Sequence, residues 1–89
     1  MPRIEKELII KNKQGLHARP AAMFVQIAEK YDSNITVGKG EEEVNGKSIM
    51  GILMLGANYL SKIRLIIDGE DAEKAMAELE AFVGKKMEG

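Results

Sequence analysis

The 89-residue chain contains no cysteine, no tryptophan and a single histidine. Without cysteine there is no disulfide scaffold, no cysteine-ligated zinc and no thiol chemistry. One histidine makes a dedicated transition-metal site unexpected. Aromatic residues are only 4% of the chain, so Ile, Leu, Val, Met and Ala must fill the core. The same scarcity leaves the expected strands nothing on which RNA bases would stack. Charge of one sign is lacking too. A net charge of −1 supplies no strong field for nucleic acid or an anionic membrane. The longest apolar run, Ile49 to Ala57, is broken by glycine and far too short to span a bilayer. The opening MPRIEKELII has no signal-peptide apolar segment. These absences together lead to the expectation of a cytoplasmic protein without cofactor, metal or membrane insertion.

What is present describes an ordinary globule, 45% apolar and 30% charged. From chain mass, folding would reduce an accessible surface of ~14,000 Å² to ~5,200 Å². That suffices for one domain over residues 1–89 and not for two. No repeat, low-complexity tract or linker divides the sequence.

Residues Arg3 to Lys11 read as a strand, with Ile4, Lys6, Leu8 and Ile10 on one face. The run from Asn12 to Gly15 is a turn. Ala21, Phe24, Ala28 and Tyr31, joined by Val25, recur at helical spacing, and Pro20 suits a first helical turn. Asp32 to Asn34 end that helix. Ile35 to Val37 is expected as a short strand, Gly38 to Gly40 as a turn, and Glu42 to Val44 as a second short strand before the Asn45-Gly46 turn. Ser48 to Leu55 is nearly continuous apolar sequence that periodicity alone leaves open between strand and helix, with Ser48 a good N-cap for the latter. Lys62 to Asp68 alternates clearly as a strand. After Gly69, the positions Ala72, Ala75, Met76, Leu79, Phe82 and Val83 form a helical stripe. Acidic Glu70, Asp71 and Glu73 lie at its start and Lys85 and Lys86 at its end, as the helix dipole favours. Short connections and one apolar face per helix predict an α+β domain: a mostly antiparallel sheet with helices on a single side.

The segment Gly15-Leu16-His17-Ala18-Arg19-Pro20 places the sole histidine at a loop-to-helix boundary. Unpaired N–H groups at a helix start attract anions, and their field favours a neutral, nucleophilic imidazole. Arg19 adds a guanidinium suited to phosphate. The pattern fits a histidine that accepts a phosphoryl group, held by the backbone of Ala18 and Arg19. On the residues alone, a helix-capping or surface role for His17 stays equally open.

GLHARPAA at 15–22 resembles the active-site signature of HPr, the histidine-containing phosphocarrier family of the bacterial phosphoenolpyruvate:sugar phosphotransferase system. NGKSIMGILMLG at 45–56 is similar to the family's second signature, around a regulatory serine. The resemblance runs over roughly residues 3 to 85. It implies an open-faced β-sandwich, a four-stranded antiparallel sheet with three helices on one face, which turns the ambiguous 48–55 segment into a helix. It implies phosphorylation of His17 on Nδ1 by enzyme I at the expense of phosphoenolpyruvate, with assistance from Arg19 and onward transfer to EIIA domains. Ser48 matches the serine modified by HPr kinase/phosphorylase in many bacteria. The protein would then be a carrier, not an enzyme, and a monomer.

A carrier that meets two partners with one surface needs an adaptable apolar patch. Its expected members are Ala22, Met23 and Gln26, with Lys47, Ile49, Met50 and Leu53. On the Ser48 helix, Ile49, Met50 and Leu53 are expected outward and Ile52 and Leu55 inward. The sequence departs from the family at Gly46, where relatives often carry a side chain, so a looser loop is expected. It departs again at Gly56 to Ser61, where a glycine commonly precedes the last strand; Tyr59 there would cap the sheet edge or touch a partner.

Two further readings belong to the resemblance: a nitrogen-related branch of the phosphotransferase system, and a regulatory protein whose phosphorylated Ser48 docks to a catabolite-control transcription factor. Retention of His17 favours the carrier, since purely regulatory relatives can lack it. Gly46-Lys47-Ser48 does not make a P-loop. The motif requires glycine at position 41, which is Glu41.

Overall fold

The computed structural model describes residues 2–85, so Lys86 lies outside the described residues. Seven elements follow one another: β1 (Arg3–Ile9), α1 (Ala18–Ala28), β2 (Asn34–Lys39), β3 (Glu42–Asn45), α2 (Ile49–Leu55), β4 (Lys62–Asp68) and α3 (Ala72–Val83). The strands form one antiparallel sheet in the order β1-β4-β2-β3. This is the open-faced α+β sandwich expected from the sequence.

Alternation in β4 explains the layering. Ile63, Leu65 and Ile67 are buried, while Lys62, Arg64, Ile66 and Asp68 turn to the open face. Register places Ile35 opposite Ile67 and Val37 opposite Leu65, so the buried residues of β2 extend the same apolar surface. The helices cover it partly with small residues: Ala21 and Ala28 from α1, Ala72 and Ala75 from α3, all fully buried. Phe24 and Phe82 meet edge to face between these helices at 6.5 Å, a favoured aromatic geometry. Lys6, on the inner side of edge strand β1, bonds Glu80 of α3 at 2.9 Å instead of entering the core.

Several boundaries differ from expectation: β2 begins already at Asn34 and β3 takes in Asn45, and three others have a clear cause. Strand β1 stops at Ile9, yet Ile10 is 1% exposed because its N–H and carbonyl pair with Ser61 and Leu60. Strand β2 runs through Gly38 to Lys39, and the turn is displaced to Gly40 and Glu41. Gly38 stays in the strand because the Arg64 side chain lies over it where a Cβ would be. Helix α1 ends at Ala28, so Tyr31 packs on the core from a loop. There the Tyr31 hydroxyl donates to Glu78 of α3.

Candidate functional site

Helix α1 begins immediately after His17, whose backbone is extended (φ −93°, ψ −167°) and whose side chain makes no capping bond. The first intrahelical bond, Ala21 N–H to His17 O, is 2.7 Å. Among the first-turn positions Pro20 has no N–H, so Ala18 and Arg19 supply the unpaired backbone donors. No acidic side chain occupies that turn, which leaves the local field suited to an anion. Ala18, Arg19 and the His17 ring are all exposed. Leu16, by contrast, is buried at 2% exposure and anchors the loop in the core.

The loop after α2 completes the surroundings of His17. Gly56 ends α2 in the left-handed region at φ +65°, and the chain turns back across the 15–17 segment. Leu16 N–H donates to Ala57 O at 2.8 Å. Gly15, at φ +66°, is required there. A Cβ would approach Ala57 O to 2.6 Å and Asn58 Cα to 3.0 Å. This brings the Asn58 side chain to His17, Oδ1 to Nε2 at 3.0 Å. Asn58 is a site residue that sequence reasoning missed. It lies 41 positions from His17, and its only signal was the unusual 56–61 connection.

Ser48 is the N-cap of α2, its Oγ accepting from Gly51 N–H at 3.0 Å. It occupies the end of α2 remote from the 56–58 loop. Seven helical residues separate the two ends by about 11 Å. Gly46 does not loosen the preceding loop. It is buried, its N–H donates to Ile35 O at 2.7 Å, and a Cβ would strike the Ile35 side chain. The missing side chain lets the loop close on β2.

Helices α1 and α2 pack together and carry the expected patch. Gln26, Ile49 and Met50 are exposed, and Ala22 and Met23 are half-buried. Ile52 and Leu55 point inward, at 0% and 4% exposure. Leu53 departs from expectation: it is half-buried and packs against the core. Gly51 faces β3, close to Val44 and Asn45, so the opposite flank of α2, with Leu53, turns toward α1. Met54 is the outward residue instead, 75% exposed, one turn after Met50 on the same side. Lys47 is half-buried and its Nζ donates to Tyr31 O at 2.6 Å, so its ammonium ties the α2 approach to the end of α1. Tyr59 and Leu60 add exposed apolar surface beside Asn58.

A family described as the PTS HPr component phosphorylation site matches residues 4–85. The chain belongs to the HPr family. Phosphocarrier protein HPr of Xylella fastidiosa (strain 9a5c) is 50% identical over 76 residues, covering 85% of each chain. The HPr-like protein Crh of Halalkalibacterium halodurans is 46% identical over 83 residues, 93% of this chain and 99% of that one. Among solved structures, a phosphocarrier protein HPr from Bacillus anthracis superposes with a TM-score of 0.90 at 41% identity, over 93% and 99% of the two chains. HPr proteins are phosphocarriers of the phosphotransferase system, and this chain has that role rather than a catalytic enzyme's. Among the described residues, no helix is long and apolar enough to cross a membrane.

Proposed function

We propose that His17 takes a phosphoryl group from phosphorylated enzyme I, with phosphoenolpyruvate as its source, and passes it to EIIA domains in the cytoplasm. The observation that carries this reading is the placement of the sole histidine as N-cap of α1, beside the unpaired N–H groups of Ala18 and Arg19. In the transfer, the lone pair on a ring nitrogen of neutral His17 attacks phosphorus. The donor's N–P bond breaks, and its electron pair returns to the donor imidazole. The two backbone donors and the Arg19 guanidinium hold the transferred phosphate oxygens. Transfer to EIIA repeats the exchange with His17 as donor. In this reading the carrier acts as a monomer.

The exposed face of α1 and α2 serves both partners. Ile49, Met50 and Met54 offer a flexible apolar surface, with Ala22, Met23 and Gln26 alongside. Methionine suits a surface that must fit two different proteins. Phosphorylation of Ser48 by a dedicated kinase adds about −1.5 to −2 charge next to Ile49 and Met50. At a helix N-terminus such a group leaves α2 folded, so its effect falls on partner docking.

A second reading has Ser48-phosphorylated protein docking to a transcription factor; similarity to Crh and the cap position of Ser48 support it. A nitrogen-related branch would use the same His17 chemistry. The separating experiment is intact mass after incubation with enzyme I and phosphoenolpyruvate, comparing the native chain with His17→Ala. One acid-labile phosphate on the native chain and none on the variant supports the carrier. No phosphate on a folded native chain, with active enzyme I from the same organism, refutes it.

A further inference from the structure

The geometry points to Asn58 as the positioning residue that fixes the tautomer of His17 and so selects Nδ1 as the nitrogen that receives phosphate. This rests on the carrier reading and names a residue that it does not supply. The Asn58 Oδ1 oxygen stands 3.0 Å from Nε2. An amide oxygen only accepts, so Nε2 must carry the ring hydrogen. A neutral imidazole has one N–H, and its second nitrogen, Nδ1, therefore keeps the lone pair. Nucleophilic attack needs that lone pair.

The backbone shows why Asn58 can hold this position. Ala57, just before it, is fully buried and its carbonyl accepts from Leu16 N–H. The carbonyl of Asn58 itself accepts from Ser61 N–H at 3.0 Å and Ser61 Oγ at 2.6 Å. Leu60 closes the loop by donating to Ile10 O at 2.8 Å, with φ +68°. The left-handed conformation is unfavourable for leucine, and these bonds over-determine it. A loop anchored on both sides of Asn58 presents the side chain in one place. The ring edge carrying Cδ2 and Nε2 faces this loop and Gly15.

The bond also persists through the transfer. When Nδ1 forms its bond to phosphorus and the donor's N–P bond breaks, the His17 ring retains the Nε2 hydrogen and gains positive charge. The Asn58 oxygen then accepts from a charged donor, and such bonds are stronger than neutral ones. Asn58 thus favours the phosphorylated ring over the free one without touching the phosphoryl group.

The test uses the full chain labelled with ¹⁵N at histidine, in native form and as Asn58→Leu and Asn58→Asp. Ring ¹⁵N shifts are read at a pH where His17 is neutral, and acceptance from phosphorylated enzyme I is followed in single turnover. The native ring should give a pyrrole-type signal at Nε2 and a pyridine-type signal at Nδ1. Asn58→Leu should move the signals toward the mixture of a free imidazole and slow acceptance by about 3- to 10-fold, the value of one exposed hydrogen bond. Its melting temperature should be unchanged. Asn58→Asp, which still accepts, should keep the native tautomer. A native ring protonated at Nδ1, or an Asn58→Leu ring with native signals, overturns the proposal. Failure of the native chain to take up phosphate overturns the carrier reading instead, and the ring signals decide the role of Asn58 independently.

Discussion

Replacing Gly46 by alanine perturbs the one place where the chain has given up a side chain to bring the Ser48 loop onto the sheet. Built on the backbone, the new Cβ would lie 3.1 Å from Ile35 O and 3.2 Å from Ile35 Cβ, and would overlap Ile35 Cγ2. Ile35 is 3% exposed and β-branched, so its rotamer does not yield easily. Either Ile35 is forced off its rotamer or the loop lifts and the 2.7 Å bond from Gly46 N–H is lost. Overpacking of this kind costs about 1–3 kcal/mol. The smaller entropy of unfolded alanine returns about 0.4–1 kcal/mol. The net loss is roughly 1–2 kcal/mol, a fall in melting temperature of about 4–16 °C for a domain of this size. Thermal and urea unfolding followed by circular dichroism measure it. Ile35→Leu removes the methyl that collides and Ile35→Val keeps it. The first should therefore recover at least about 0.5 kcal/mol in the Gly46→Ala background, while the second should not. A Gly46→Ala protein as stable as the native one, or equal effects of the two Ile35 changes, would refute the packing argument.

Further outcomes follow from the same structure. Ser48→Ala should cost about 1 kcal/mol through loss of the α2 cap, whereas Ser48→Asp should keep the cap yet slow exchange with enzyme I. Unfolding midpoints and phosphorylation rates separate the two effects, and equal rates for native and Ser48→Asp chains would count against the docking surface. Gly15→Ala should both destabilise and impair acceptance, because φ +66° and the Ala57 carbonyl oppose a Cβ; a native melting curve would contradict this. Hydrogen bonds from the Ser33 hydroxyl and from the Asp32 and Ser33 backbone hold the Asp71 carboxyl below its ordinary value of 3.8. The stabilisation is therefore present above that value and is lost as pH falls below it through the lower folded value. Melting scans between about pH 2 and 6 should show a shallower acid limb for Asp71→Asn; an unchanged slope would sink the assignment.

The strands and helices with strong periodicity, β4 and α3, were legible from the sequence because one face of each is buried against a single partner layer. The 48–55 segment was not, since Ile49, Met50 and Met54 are apolar and exposed and blur any stripe. Its helical form followed from resemblance, and the exposure of Met54 over Leu53 depended on which flank meets α1. Gly38 resembled a turn because the Arg64 side chain that covers it comes from a distant strand. The position of His17 and Arg19 at the start of α1 was legible because Pro20 marks a first helical turn. Asn58 was not, since its meeting with His17 depends on the α2 terminus and the Gly15 turn folding against each other. Lys47 was expected in the partner patch; that its ammonium instead bonds the Tyr31 carbonyl depends on the 46–48 loop folding against the segment that follows α1.

The most direct test of the carrier account follows labelled phosphate through a complete relay: phosphoenolpyruvate, enzyme I, this chain and an EIIA domain from the same organism. The account predicts that label appears on His17, passes quantitatively to EIIA, and reaches neither protein when His17→Ala replaces the native chain. Label that never enters the native chain, or enters it and cannot leave for EIIA, would contradict it.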